Sequence, residues 1–192
     1  MIDYQIFKNI AKHVSLSTNE VQHFASLLFV RDVQKKELIL KQEQICRSIY
    51  FVEEGSLRGF NLNDDGKECT LMFAVRDWWI TDMNCFINQK AAILSIEALE
   101  ASKIIELTFD ALEGLYKSNP KFERLFRILF QNAYSREQVR ALHNISLKTE
   151  KRYYKFADKY PAIMKKVTQK QIASYLGVTP EFLSTIKKSK HS

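Results

Sequence analysis

The chain has 192 residues, 46% of them hydrophobic and 27% charged, with a formal net charge of +7 at pH 7. This is enough apolar material to core one or two globular domains, and no run is long and apolar enough to cross a bilayer as a helix. Cys46, Cys69 and Cys85 are odd in number and widely spaced, which argues against a disulfide frame, a zinc site or an iron–sulfur site.

The three cysteines are therefore expected to be buried, apolar-like thiols. His13, His23, His143 and His191 are scattered, so no metal site is expected. The opening residues, "MIDYQIFKNIAKHVSLS", show no cleavable signal pattern, and the cytoplasm of a microbe is the expected location.

Residues 2–30 read as helical. Ser17 or Thr18 caps a segment whose apolar side is Val21, Phe24, Leu27 and Leu28. From Val33 to Leu107 the period changes. "ELILKQ", "SIYFVEEG", "SLRGFNLN", "KECTLMFA", "ILSIEAL" and "SKIIEL" are short, β-branched and aromatic, and separated by turn signals. Asp65-Gly66 marks a hairpin and Glu54-Gly55 a second turn. Strands at this spacing predict an antiparallel sandwich or jelly-roll barrel.

Thr108 opens a short helix, "FDALEGLYKSNP", and Pro120 starts a long helical run to Tyr160, broken near 146–149. Phe122, Leu125, Phe126, Leu129, Phe130 and Ala133 form a wide apolar stripe, continued by Val139, Leu142 and Ile145. A small barrel is too short to cover it all. A helix from a second copy would bury the rest; the alternative is a stripe lying wholly on its own barrel.

Charge is not evenly spread. Residues 148–192 carry eleven basic and three acidic side chains, a net of +8, whereas the preceding 147 carry 18 basic and 19 acidic. A basic unit attached to a neutral one points to a polyanion at one end, since lysines gain by releasing counterions from phosphates.

The same unit holds "TQKQIASYLGVTPEFLSTIKK". Thr168 and Gln171 have the spacing of a capping box, with Ile172, Ala173 and Leu176 on one face. Gly177 suits a left-handed helix end. Thr179 can cap a second helix with Pro180 in its first turn, and Leu183 and Ile186 form its apolar side. Small Ala173 allows close helix approach. The pattern is that of a helix-turn-helix rather than a generic helical hairpin.

Barrel, long helix and C-terminal helix-turn-helix, in that order, resemble the Crp/Fnr-type transcription regulators, relatives of the catabolite activator protein. "QIASYLGVTPEFLSTIKK" and "IYFVEEGSLRGFNLNDDGKECTLMFAVRDWW" carry the resemblance, which covers nearly the whole chain. It implies an α+β fold: an antiparallel jelly-roll barrel of the cyclic-nucleotide-binding type, a dimerisation helix at about 118–147, and a winged-helix-like end with its wing absent or trimmed. The expected division is a sensor unit, 1–147, and a DNA-binding unit, 148–192. The expected partners are duplex DNA with a palindromic site, a second copy of the chain and RNA polymerase, with no membrane. The resemblance implies no enzymatic activity.

Family members that bind cyclic nucleotides carry a Gly-Glu pair and, about ten residues on, an arginine followed by a small residue. The matching segment is "WWITDMNCFINQKAAILSIEAL". Thr81 and Asp82 stand at the Gly-Glu pair and Ala92 at the arginine, with Met72 and Ala91 counted in the same degenerate pocket. Without that guanidinium a buried cyclic phosphate has no charged partner, so cyclic nucleotide binding by the usual contacts is not expected. Lys90, nearby, is expected to point to solvent. Met72, Phe73, Trp78 and Trp79 would suit an apolar or aromatic ligand, or serve as core.

By the same resemblance the second helix would enter the major groove. Thr179, Glu181, Phe182 and Thr185 would face bases; the family's frequent arginine is Thr185 here, which suggests a more A·T-tolerant site. Gln169, Lys170, Ser184, Lys187, Lys188 and Lys190 would hold phosphates. Two other readings compete. A cupin-like barrel enzyme would need histidine ligands on the strands, and residues 33–107 contain no histidine. A sensor of cyclic nucleotides or other small ligands could instead signal through protein contacts, without specific DNA binding.

Overall fold

Alternation and turn chemistry shape the first half of the chain. The computed structural model describes residues 4–188, except for the side chain of Lys188; Lys190 and His191 lie outside the described residues. Two short helices, α1 (Gln5–Ala11) and α2 (Thr18–Ser26), precede β1 (Phe29–Val33), β2 (Leu38–Leu40), β3 (Ser48–Glu54), β4 (Ser56–Leu62), β5 (Glu68–Val75) and β6 (Trp79–Ile80). Then follow α3 (Met83–Asn88), β7 (Ser95–Ala98), β8 (Ser102–Thr108), α4 (Phe109–Ser118), α5 (Pro120–Ser146), α6 (Thr149–Lys159), α7 (Pro161–Met164), α8 (Gln169–Leu176) and α9 (Pro180–Lys188).

The strands form two four-stranded antiparallel sheets, in the orders β1-β8-β3-β6 and β2-β7-β4-β5, which face each other as a sandwich. Residues on both faces of the first sheet, among them Phe51, Val52, Ile104 and Ile105, are buried with Leu57 and Ile96 of the second in one core that extends under the helices. Gly55 makes the β3–β4 turn at φ 89, and a Cβ there would stand 2.1 Å from Ser102 Oγ, so a side chain is excluded on two counts.

Three sequence expectations change. Phe29 and Val30 were expected in a helix; they belong to β1, because "FVRDV" finds a full antiparallel register against β8 (Phe29↔Glu106 to Val33↔Ser102) and the tertiary partner overrides local preference. The 81–92 region contains a short helix, α3, that apolar periodicity over so few residues could not reveal. Cys46 and Cys85 are buried as expected, but Cys69 is exposed, because it lies near the start of the edge strand β5.

Pro120 begins α5 with Asn119 as cap, its side chain accepting from the Lys121 N–H at 2.9 Å. At 1.5 Å per residue the 27-residue helix spans about 40 Å. Its first third is anchored: Phe122, Leu125 and Phe126 are fully buried, Phe122 stacks on Phe24 of α2 at 5.2 Å, and Phe126 meets Trp79 edge-on at 5.4 Å. Beyond residue 133 the apolar stripe is left largely uncovered by the described residues. Tyr134 is 71% exposed, Leu142 59% and Ile145 86%.

Candidate nucleic-acid interface and sensor pocket

The C-terminal unit is built from local signals. Thr168 accepts from the Gln171 N–H at 3.2 Å, and the Gln171 side chain accepts from the Thr168 N–H at 2.8 Å, a complete capping box. Gly177 ends α8 in the left-handed region at φ 70, and the Val178 N–H returns to the Ala173 carbonyl at 3.0 Å. The Thr179 hydroxyl then accepts from the Phe182 N–H at 3.2 Å to start α9, with Pro180 in the first turn. Ile172, Ala173, Leu176, Leu183 and Ile186 are buried between the helices.

The outer side of α9 is open. Thr179, Glu181 and Thr185 are exposed, and Phe182 keeps half its surface in water. Lys170 is exposed on α8. Two predicted phosphate ligands behave differently: Gln169 Nε2 donates to Ser184 Oγ and to the Pro180 carbonyl (3.1 Å), so these side chains lock the two helices together instead of facing outward. Lys187 lies with its Nζ 5.8 Å from the Tyr153 ring, half-buried. The Lys188 side chain lies outside what the structure describes.

In the sensor half, Asp82 is 1% exposed, and its partners are all backbone. One carboxylate oxygen caps α3 by accepting from the Cys85 N–H at 3.2 Å; the other accepts from the consecutive Ile93 and Leu94 N–H groups at 2.7 and 3.0 Å. Asp82 thus binds its own chain. Thr81 is buried and donates to the Ser48 carbonyl at 2.9 Å. Ala92 is buried, Ala91 and Lys90 are exposed, and Ala91 bridges to Ile45. The charged donor next in sequence is Lys90, which is exposed.

A cleft of about 990 Å³ opens between the barrel, α5 and the C-terminal unit, lined by Met72, Trp78, Phe130, Ala133, Arg136 and Tyr160 among others. Met72 and the tryptophans therefore border open space, with Arg136 5.5 Å above the Trp78 ring. At the base of the cleft, burial raises the Asp77 carboxyl pKa, but hydrogen bonds from Lys12, Gln5 and Asn9 outweigh it and leave it below its ordinary value. No cluster of His, Cys, Asp or Glu able to hold a metal occurs among the described residues, and none of the helices described is long and apolar enough to cross a membrane. The caps and buried face of the α8–α9 pair were legible in sequence; the self-bonding of Asp82 was not, because it depends on amides eleven and twelve residues away.

Residues 30–119 match the family model of the cyclic nucleotide-binding domain. Among curated proteins the chain is 25% identical to the regulatory protein HlyX of Actinobacillus pleuropneumoniae, over 81% of this chain and 69% of that protein. It is 23% identical to an anaerobic regulatory protein of Pasteurella multocida, over 81% of this chain but only 60% of that one. Among solved structures, the c-di-GMP-responsive global regulator CLP of Xanthomonas campestris superposes with a TM-score of 0.75 at 13% identity, covering 91% of this chain and 92% of that one. FixK2 of Bradyrhizobium japonicum gives 0.72 at 17% identity, over 85% and 84%. Residues 30–119 thus form a domain of the cyclic nucleotide-binding type, and the sandwich, long helix and helical end together are similar in fold to solved regulators of the Crp/Fnr type.

Proposed function

We propose that the chain is a homodimeric, sequence-specific DNA-binding regulator acting in the cytoplasm. It works as two units, 1–147 and 148–192, and its sensor barrel does not take cyclic nucleotides by the family's usual contacts. The observation that carries this reading is the outward face of α9. Thr179, Glu181, Phe182 and Thr185 are exposed together on a capped helix pair whose inner face is buried, within a segment of net charge +8. Such a helix fits a major groove, where Glu181 accepts from cytosine N4 and Thr185 or Phe182 meets a thymine methyl. Lys170, Lys187 and Lys188 supply the salt-dependent part.

Exposed Tyr134, Val139, Leu142 and Ile145 support pairing of α5 with the same helix of a second copy. Two recognition helices would then address half-sites about 34 Å apart, hence a palindrome. For the sensor, Asp82 already occupies the amides of residues 93 and 94 with a carboxylate, and Ala92 offers no donor. RNA polymerase is the natural further partner for a regulator seated on a promoter.

A mobility-shift series on genomic duplex fragments from low to moderate salt tests the reading. Binding with a steep salt dependence is expected, together with no heat of titration by micromolar cyclic AMP or cyclic GMP. No duplex binding at low ionic strength overturns the DNA assignment and favours signalling through protein contacts; micromolar nucleotide binding overturns the assignment of the pocket.

A further inference from the structure

The apolar core around the helix-turn-helix is not made by that unit alone. Phe73 of β5 and Leu99, which follows β7, are buried within the same cluster as Tyr153, Phe156, Ile172 and Leu183. The Phe73 ring lies 6.0 Å from Phe156 and 5.4 Å from Tyr175. Phe73 stands opposite Arg58 in the β4–β5 register and Arg58 opposite Glu97 in β4–β7, so these three share the outer face of the sheet.

Polar contacts follow the same seam. β5 is the edge strand of its sheet, and an unpaired edge leaves backbone groups open to other chains. Here Ser174 of α8 closes that edge: its hydroxyl accepts from the Thr70 N–H at 2.8 Å and donates to the Glu68 carbonyl at 2.7 Å. Arg140 of α5 donates to the Leu71 carbonyl and lies 5.0 Å from the centre of the Tyr175 ring. The Glu68 carboxylate in turn holds the buried Arg58 guanidinium at 2.8 Å, and Glu97 holds it at 2.6 Å. On the far side, Glu100 bonds both Ser56 and Lys166; these bonds outweigh burial and keep its carboxyl below its ordinary pKa.

We infer that the outer face and free edge of the β2-β7-β4-β5 sheet form the docking surface for the helix-turn-helix and complete its core. The DNA-reading end is held on the sensor sheet with α9 facing out. Direct bonds from Glu97 to Arg58, from Arg58 to Glu68 and from the Glu68 carbonyl to Ser174 join β7, β4 and β5 to α8 without passing along α5. The consequence for DNA reading rests on the function proposed above; the docking itself does not.

Hydrogen exchange on the full chain tests it, comparing wild type with Phe73→Ala, Ser174→Ala and, as a control in the separate barrel core, Leu112→Ala. Removing the Phe73 ring from this core is expected to raise exchange of the α8 and α9 amides about 100-fold above wild type. Ser174→Ala, which deletes two hydrogen bonds, should raise it about 10-fold in α8. Leu112→Ala should not single out these helices. Should Phe73→Ala fail to fold, Ser174→Ala reads the same seam. Wild-type protection of α8 and α9 in Ser174→Ala, or in a folded Phe73→Ala, overturns the docking. Failure of wild-type protein to shift DNA would instead sink the DNA reading and leave the exchange result standing.

Discussion

The loop around Asp82 and the outer face of α9 are both polar regions, and they are finished in opposite ways. Asp82 and Thr81 are turned inward: the carboxylate meets three backbone N–H groups, and the Thr81 hydroxyl meets a carbonyl. On α9, Glu181 and Thr185 are exposed to water. A buried group that already holds its hydrogen bonds gains nothing from a ligand offering the same bonds, whereas an exposed one can exchange water for a base edge. The contrast separates a site closed by its own chain from one left open for a partner.

The largest expected effect tests the closed side. Asp82→Ala strands the Cys85, Ile93 and Leu94 amides, and should lower folding stability by about 3–5 kcal/mol, read from the denaturant midpoint; a loss under about 1 kcal/mol would mean the carboxylate is not the keystone of this loop.

The proposed DNA reading on the open side rests on pairing through α5. Replacing both Leu142 and Ile145 by Glu puts charge on the uncovered stripe of α5, and should convert a dimer to a monomer in sedimentation, removing about 2 kcal/mol of apolar burial per side chain. A variant that remains dimeric would move the interface elsewhere. A smaller effect is expected from Lys187→Ala with Lys188→Ala: weaker binding to every duplex, and a log–log salt slope reduced by about 2 per protomer. Unchanged binding at moderate salt would remove these lysines from the interface.

The smallest effect concerns neither site but the seat of α5. A hydrogen bond from Lys121, with further ones from Ser17 and Asn119, holds the Glu20 carboxyl at about 2, below its ordinary 4.5. Because the folded value is the lower one, the contribution is complete above pH 4.5 and is lost as pH falls towards 2. The stability difference between wild type and Glu20→Gln should shrink across that window, and a difference that persists at pH 2 would contradict the assignment.

Much of the fold was legible because its signals are local. Asp65-Gly66, Thr108 and Pro120 each set a turn or a helix start within a few residues. What was missed lacked such a signal. β6 is two residues long, α3 six, and β1 is a strand through pairing with β8, more than sixty residues away. Phe73 read as pocket or core, and it is core, but of the other unit. Gln169 and Ser184 read as outward, and they meet each other because the helices cross there.

By itself, the sequence determined the helix-turn-helix, the strand-rich sensor, the concentration of positive charge at one end, and the absence of arginine at position 92. Caps, left-handed glycines and periodicity act over one or two turns, so they need no partner. Only the tertiary structure decided that Asp82 spends its carboxylate on its own loop and that the sensor sheet lies beneath α8. The Ser174 contacts join residues 104 and 106 positions apart. Contacts at that separation exist only once folding has closed the intervening loop, and no local pattern encodes them.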